Sequence, residues 1–340
     1  MDECLFIIDN RYKVLKLIGD GLQAFVFEIT LLNPLQGTYY QDKINQKFAL
    51  KVAYKKEFKH LLFVENLIQT RLQHNPGFLK IHQYRQNLQI TQINDKNRNT
   101  QMEQNDIIKV LSQLQNKYLD CLVMDYCNQG DLFSYLRQRG KLPLPVVKNF
   151  FNQILDRVEI IHDQVKLSHN DLKLENILME YEDKNGNEET GNIQLKICDF
   201  GFSCGKNKNI MQARGSEGYK APEVYFVHPA IGYDGVKADI FSLGVILFDM
   251  IFGLPPFSRA TPDDVLYRQF YKGPNSFKYF FNLHPNTKND FKKGLIDFEI
   301  IEIIMCMLDP NFSARPGSIQ EIRQFSFFKS SENKEKKENL

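Results

Sequence analysis

The run Ile240 to Phe252 is apolar on nearly every side, interrupted only by Ser242, Gly244 and Asp249. It is too short to cross a bilayer, which takes about 18–20 apolar residues. It must therefore be the buried central helix of a helical lobe. Gly253 and Pro255-Pro256 stop it. A second helix starts at Pro145, with an apolar stripe through Val146, Val147, Phe150, Phe151, Ile154, Leu155, Val158 and Ile161. The first part of the chain reads differently. Residues 12–84 predict strands and one helix, Lys56 to Leu72. Its inward stripe, Leu61, Glu65, Ile68 and Leu72, holds a carboxylate where an apolar residue is expected.

The chain has 340 residues, enough for two lobes and a sizeable core. Its 43% hydrophobic and 25% charged content fit a globular protein. A net charge of +2 argues against nucleic acid as partner, which calls for a concentrated basic stripe. No apolar run spans a membrane, and Met1-Asp2-Glu3-Cys4 offers neither a basic leader nor the glycine that myristoylation requires, so no membrane partner is expected. The 6 cysteines are scattered, which points to free thiols in a reducing compartment, cytoplasmic with the nucleus left open. Residues 85–117 are rich in Asn and Gln and read as a polar insertion, with Leu88, Ile90 and Ile107 to Leu111 leaving room for a short strand or helical turn. Residues 329–340 read as a charged, disordered tail. The oligomeric state is not legible.

Chemistry concentrates in Ser168-His169-Asn170-Asp171-Leu172-Lys173-Leu174-Glu175-Asn176-Ile177-Leu178. A carboxylate, an amine and a carboxamide within a few residues suit phosphoryl transfer, where a base, a cation and a metal ligand must converge. An ordinary polar loop would not run straight into the apolar strand Ile177-Leu178-Met179. Upstream, Ile18-Gly19-Asp20-Gly21-Leu22-Gln23-Ala24-Phe25-Val26 lies between two strand-like runs. It is either an ordinary glycine hairpin or one that covers phosphates with backbone N–H groups. A following strand disfavours a Rossmann site, and no Gly-Lys-Ser/Thr follows for a Walker A loop. In Phe48-Ala49-Leu50-Lys51-Val52-Ala53, Lys51 is either a surface lysine or the partner of inward Glu65, whose burial is costly unless it is paired.

Together these segments resemble eukaryotic protein kinases of the serine/threonine type. Ser168 to Leu178 follows the catalytic-loop pattern H-R-D-L-x-x-x-N, with Asn170 in place of Arg. Ile197-Cys198-Asp199-Phe200-Gly201 matches the D-F-G element, and Ala221-Pro222-Glu223 the A-P-E element. Leu122 to Cys127 resembles the hinge that holds adenine. The resemblance implies an α+β, bilobal fold over residues 12–328. It would have an N-lobe (12–124) with a small antiparallel five-stranded sheet and one helix, a hinge (125–130) and a larger, mainly helical C-lobe (131–328). It implies ATP and Mg2+ as cofactors. Asp171 would be the catalytic base and Lys173 would neutralise the moving phosphoryl group. Asn176 and Asp199 would hold the metal. Ile18, Gly19, Asp20, Gly21, Val26, Ala49, Lys51, Glu65, Met124, Asp125, Cys127, Asp131 and Leu178 would surround the nucleotide. Glu175, Ser216 and Asp249 would contact substrate. Glu223 and Arg315 resemble a buried ion pair, and Asp239 the residue that holds the catalytic loop. Gly253-Leu254-Pro255-Pro256-Phe257 looks most like the calcium/calmodulin-dependent and AMP-activated branch, without an EF-hand loop or a calmodulin-binding tail here.

The departures carry expectations of their own. Asn170 removes the Arg that grips an activation-loop phosphate in many kinases, and no Ser, Thr or Tyr lies between Gly205 and Gly215. Activity independent of activation-loop phosphorylation follows. Gln69 stands where the family has an apolar spine residue; it either loosens the helix or bonds locally. Asp131, Glu175 and Asp249 predict a substrate with basic residues near the acceptor, and Phe202 a preference for serine. With Ala24, Asn170 and Gln69 as departures, a pseudokinase serving as a nucleotide-binding scaffold is the competing reading.

Overall fold

The computed structural model describes residues 5–21, 23–32, 46–94, 102–182 and 192–329. The chain divides into two units, Met1–Cys127 and Asn128–Leu340. All of the expected charged tail except Lys329 lies outside the described residues, as does Leu22. No helix among the described residues is long and apolar enough to cross a membrane.

The first unit is built on β1 (Leu5–Ile8), β2 (Tyr12–Asp20), β3 (Phe25–Leu31), β4 (Phe48–Ala53), β5 (Ile81–Leu88), β6 (Ile90–Asn94) and β7 (Leu119–Asp125). They form one antiparallel sheet in the order β5-β7-β4-β3-β2-β1-β6. Two helices, α1 (Lys56–Leu72) and α2 (Met102–Leu114), pack on it. The pleat of β4 explains how. Phe48, Leu50 and Val52 join a core with Ile107, Val110, Leu111 and Leu114 of α2. Lys51, on the alternate face, meets Glu65 of α1. The two helices thus cover opposite faces, and β7 is buried from Leu119 to Met124, as a strand with both faces covered must be.

Among the described residues, these observations correct the expected five strands and one helix to seven strands and two helices. β1 precedes residue 12 and pairs with β2 and β6. Nor are residues 85–117 simply a polar insertion. They contain β6, α2 and part of β5, and α2 buries apolar residues spaced three and four apart. The Asn and Gln residues around that stripe hid it. Burial of each such side chain contributes about 1.5–3 kcal/mol. On α1 the inward face is Leu62, Glu65, Ile68, Gln69 and Leu72; Leu61 is only half-buried.

The second unit is mostly helical. Its elements are α3 (Leu132–Arg139), α4 (Leu144–Glu159), β8 (Leu167–Ser168), β9 (Ile177–Glu182), β10 (Asn192–Ile197), β11 (Cys204–Gly205), β12 (Asn209–Ile210), α5 (Pro222–Tyr225), β13 (Tyr233–Asp234), α6 (Gly235–Phe252), α7 (Ser276–Leu283), α8 (Lys288–Lys292) and α9 (Phe298–Met307). α6 is the central helix that the apolar run demands: every residue except Lys237 and Ile251 is buried. Asp234 caps its first turn through the N–H of Val236, and Gly253 ends it in the left-handed conformation at φ 76°. Gly244 lets α9 approach, since a Cβ there would stand 2.9 Å from Met307 and Leu308. A π-helical turn, Ile160–Gln164, extends α4.

If α2 is a core element, Leu111→Ala should cost the protein about 2–5 kcal/mol, as large-to-small changes at fully buried sites do. Urea unfolding followed by circular dichroism measures this, and a loss below about 0.5 kcal/mol would place Leu111 outside a packed core.

Candidate active site

Asp239 organises the second unit's polar centre. It is fully buried on an apolar helix, so its carboxylate must be satisfied locally. It accepts the backbone N–H groups of His169 and Asn170, both at 2.7 Å, and His162 Nε2 lies 2.8 Å away. Two consecutive N–H groups aimed at one carboxylate fix where the chain turns. Asn170 takes the left-handed conformation there, at φ 64°, which Asn accepts better than other side-chain-bearing residues. The His169 ring is held as well. Its Nδ1 accepts from Asp171 N–H at 3.2 Å, which leaves Nε2–H to donate to the Cys198 carbonyl at 3.1 Å. Phe200 packs on the ring with centroids 5.0 Å apart, so the D-F-G element is tied to the catalytic loop.

Beyond this anchor the loop brings the expected catalytic groups together. Lys173 Nζ lies 3.1 Å from Asp171 Oδ2 and donates to Ser216 Oγ at 2.7 Å. Ser216 in turn donates to Asp171 Oδ1 at 2.8 Å. Asn176 Nδ2 donates to the Asp171 carbonyl at 2.8 Å and reaches Oδ2 at 3.3 Å. Asp171 is buried and held from both sides, so its orientation is set before any substrate arrives. The amide nitrogen of Asn176 is thus committed, which leaves its oxygen, the atom a hard cation takes. Asp199 follows at the end of β10, also left-handed at φ 66°. Among the described residues no cluster of three or more His, Cys, Asp or Glu could hold a metal unaided. Asn176 and Asp199 both offer side-chain oxygens, the ligand type that Mg2+ takes.

The segment from Asp199 to Glu223 is fastened by short ladders and side-chain bonds. β11 pairs with β8, and β12 pairs with β13. Asn170 Nδ2 and Arg214 both donate to the Phe202 carbonyl, at 3.1 and 3.0 Å. At its far end Arg315 grips Glu223 with two bonds of 2.7 and 2.8 Å and also bonds the Asp309 carbonyl at 2.7 Å. Tyr219 is held by Ser242, which donates to its carbonyl at 2.9 Å. Burial and the nearby Glu175 carboxylate push the Tyr219 phenol well above its usual range.

The carboxylates expected to read substrate differ in availability. Glu175 is exposed. Asp249 is buried and paired with Arg137 of α3; burial raises its pKa above the ordinary carboxylate value, against the opposing pull of that guanidinium. Asp131 caps α3, accepting from Ser134 N–H at 2.7 Å and its hydroxyl at 3.0 Å, and forms a bridge to Leu178.

In the first unit the geometry selects the paired reading of Lys51. Its Nζ lies 2.7 Å from Glu65 Oε2, and both side chains are largely buried. Gln69 bonds locally, Nε2 to the Leu79 carbonyl at 3.0 Å, with its buried oxygen unpartnered among the described residues. The glycine hairpin closes through Gly21 N–H to the Ala24 carbonyl at 3.2 Å, with Gly19 opposite Val26 and Asp20 opposite Phe25. Ile18 is exposed, and Ala49 sits beside Met124 across β4 and β7. The Asp125 side chain is occupied by Lys80 N–H at 3.0 Å and His82 at 2.8 Å, and its own N–H donates to the Lys80 carbonyl at 3.1 Å. Cys127 is buried. Sequence reasoning did not single out His162, Arg214 or Arg137. The one arginine in a loop without phosphoacceptors was a usable signal for Arg214; the others had none.

Comparison with known proteins agrees with this arrangement. The family model for the protein kinase domain matches residues 12–328. CBL-interacting protein kinase 5 of Oryza sativa subsp. japonica is 26% identical over 338 residues, 97% of this chain and 58% of the relative. Probable serine/threonine-protein kinase 2 of Plasmodium falciparum is 35% identical over 206 residues, 60% of this chain and 36% of the relative. The serine/threonine-protein kinase unc-51 of Caenorhabditis elegans is 36% identical over 181 residues, 49% of this chain and 21% of the relative. The chain therefore spans well under two thirds of each relative's length. With the domain model covering nearly its whole length, this chain belongs to the protein kinase family.

Proposed function

We propose that this chain is an ATP-dependent serine/threonine protein kinase that transfers the γ-phosphoryl group of Mg-ATP to protein hydroxyls. The observation that carries the reading is the position of Asp171, oriented by Lys173, Ser216 and Asn176 at once. Asp171 orients the substrate hydroxyl and accepts its proton. Lys173 offsets charge on the moving phosphoryl group. Lys51, held by Glu65, engages the α- and β-phosphates; Asn176 and Asp199 are the groups that would hold Mg2+, which supplies charge neutralisation when bound. Kinase names among the relatives support the same reaction class. Nothing in the site favours a nucleotide-binding scaffold, since every group the transfer needs is present.

The finer reading is a serine-preferring enzyme that takes substrates with basic residues near the acceptor. Exposed Glu175 is the main attraction for these, and a basic side chain reaching Asp249 would have to exchange with Arg137.

Radiolabelled phosphate transfer with Mg-ATP tests the catalytic assignment. Asp171→Asn should lose about 10²–10⁴-fold in kcat, the usual contribution of a general base; equal signal from variant and wild type would remove Asp171 from its role. Phosphatase treatment should leave wild-type turnover unchanged, because the activation segment is tied by Asn170 and Arg214 rather than by phosphate. A large loss traced to phosphate on that segment would sink this. Asn170→Ala releases the bond to the Phe202 carbonyl together with the contacts of the same amide to Ser168, a loss of at least about 1 kcal/mol, so kcat should fall roughly fivefold or more in the same assay.

A further inference from the structure

The surface formed by the 3-10 turn Tyr267–Tyr271 and α7 takes no part in the reaction proposed above. From Val265 to Leu283 the sequence carries Arg268, Lys272 and Lys278 and no Asp or Glu, in a chain whose net charge is only +2. All three cations are exposed. Val265, Tyr279 and Leu283 stand between them, 56%, 50% and 45% exposed. These six residues line one groove of about 700 Å3. Charge and apolar surface are interleaved in it: the Lys272 ammonium lies over the Tyr279 ring, 4.6 Å from its centroid. The floor is rigid. Phe270 and Phe280 pack beneath it with centroids 4.8 Å apart, and Phe280 packs on Phe248 of the buried helix at 5.5 Å. The walls therefore keep their shape whether or not the groove is filled.

We propose that this groove docks an acidic, leucine-bearing peptide segment of a partner protein. The partner's carboxylates pair with Arg268, Lys272 and Lys278, and its apolar side chains lie on Val265, Tyr279 and Leu283. Charge complementarity selects this occupant: the lining carries cations and no anion, so an acidic segment is attracted and a basic one repelled. Nucleic acid would need a longer basic stripe than three side chains. A bilayer surface would need the apolar residues on an insertable helix face, whereas here they line a concavity. Asn275 and Asn282, on the same walls, add amides that suit peptide backbone.

Fluorescence anisotropy on the full chain tests this, with a labelled peptide in which leucines alternate with pairs of glutamates. The peptide should bind saturably with a Kd on the order of 10 μM, weakening as salt rises. The same peptide with Gln for Glu should not bind. Binding should weaken about tenfold in the double variant Arg268→Glu, Lys278→Glu and about threefold in Tyr279→Ala, in line with exposed charge pairs and a single apolar anchor. Three results would overturn the proposal: no saturable binding, unchanged binding by the charge-reversed variant, or tighter binding to phosphatidylserine vesicles or a single-stranded oligonucleotide than to the peptide. Because the readout is binding alone, a chain that bound the peptide yet transferred no phosphate would undo only the kinase reading.

Discussion

The second unit depends on one buried carboxylate. Asp239 sits on a helix whose other inward residues are almost all apolar, and its charge would be costly there without partners. The partners it takes are two adjacent backbone N–H groups and an imidazole. That choice has a mechanical consequence. Side-chain partners could shift with a rotamer, but two main-chain donors define the path of the chain itself. The loop leaving Asp239 then has one course, and Asp171, Lys173 and Asn176 emerge on it at fixed positions. The stability of the helical core and the geometry of the reacting groups are therefore one problem, solved at one residue.

The first unit shows the same logic with the charges reversed in order. Glu65 interrupts an apolar stripe, and Lys51, on the alternate face of β4, satisfies it. Strand alternation puts Phe48, Leu50 and Val52 on the opposite face, where they are buried with α2 away from the ion pair. The face with Lys51 meets α1 and the apolar face meets α2. The seven-stranded sheet and its second helix thus help to present Lys51.

How much of this was legible in the sequence follows from range. Asp171, Lys173 and Asn176 lie within a few residues, so their chemistry can be read as a string. Lys51 and Glu65 were legible because each breaks a periodic pattern and an inward carboxylate demands a cation. α6 was legible because nothing but burial suits its composition. α2 was not, because Asn and Gln around it suggested a solvated insertion although Ile107, Val110, Leu111 and Leu114 keep helical spacing. β1 was missed for its brevity. The contacts of His162 and Arg137 were not legible at all, and for Arg214 the sequence marked the residue but not its partner. His162 and Arg137 meet carboxylates far along the chain, on a helix whose period says only that it is buried, and Arg214 meets a carbonyl that no pattern marks.

Asn170 brings these threads together. Read as a letter, it is an arginine lost from the catalytic loop. In the fold it occupies a left-handed position and donates to the Phe202 carbonyl, and the residues around it are fitted to its size. A Cβ on Gly235 would stand 2.6 Å from its Oδ1, and one on Gly215 would stand 2.9 Å from its carbonyl. A longer side chain has no room toward Gly235 without moving α6, the helix that carries Asp239. The bond it makes is a neutral one, worth about 0.5–1.5 kcal/mol, where an arginine clamped to a phosphate would be roughly twice as strong. The tie does not act alone: Arg214 donates to the same carbonyl, and short ladders hold the segment on either side. A phosphate clamp can be made and unmade by other enzymes. The bond from Asn170 to a main-chain carbonyl is part of the fold itself.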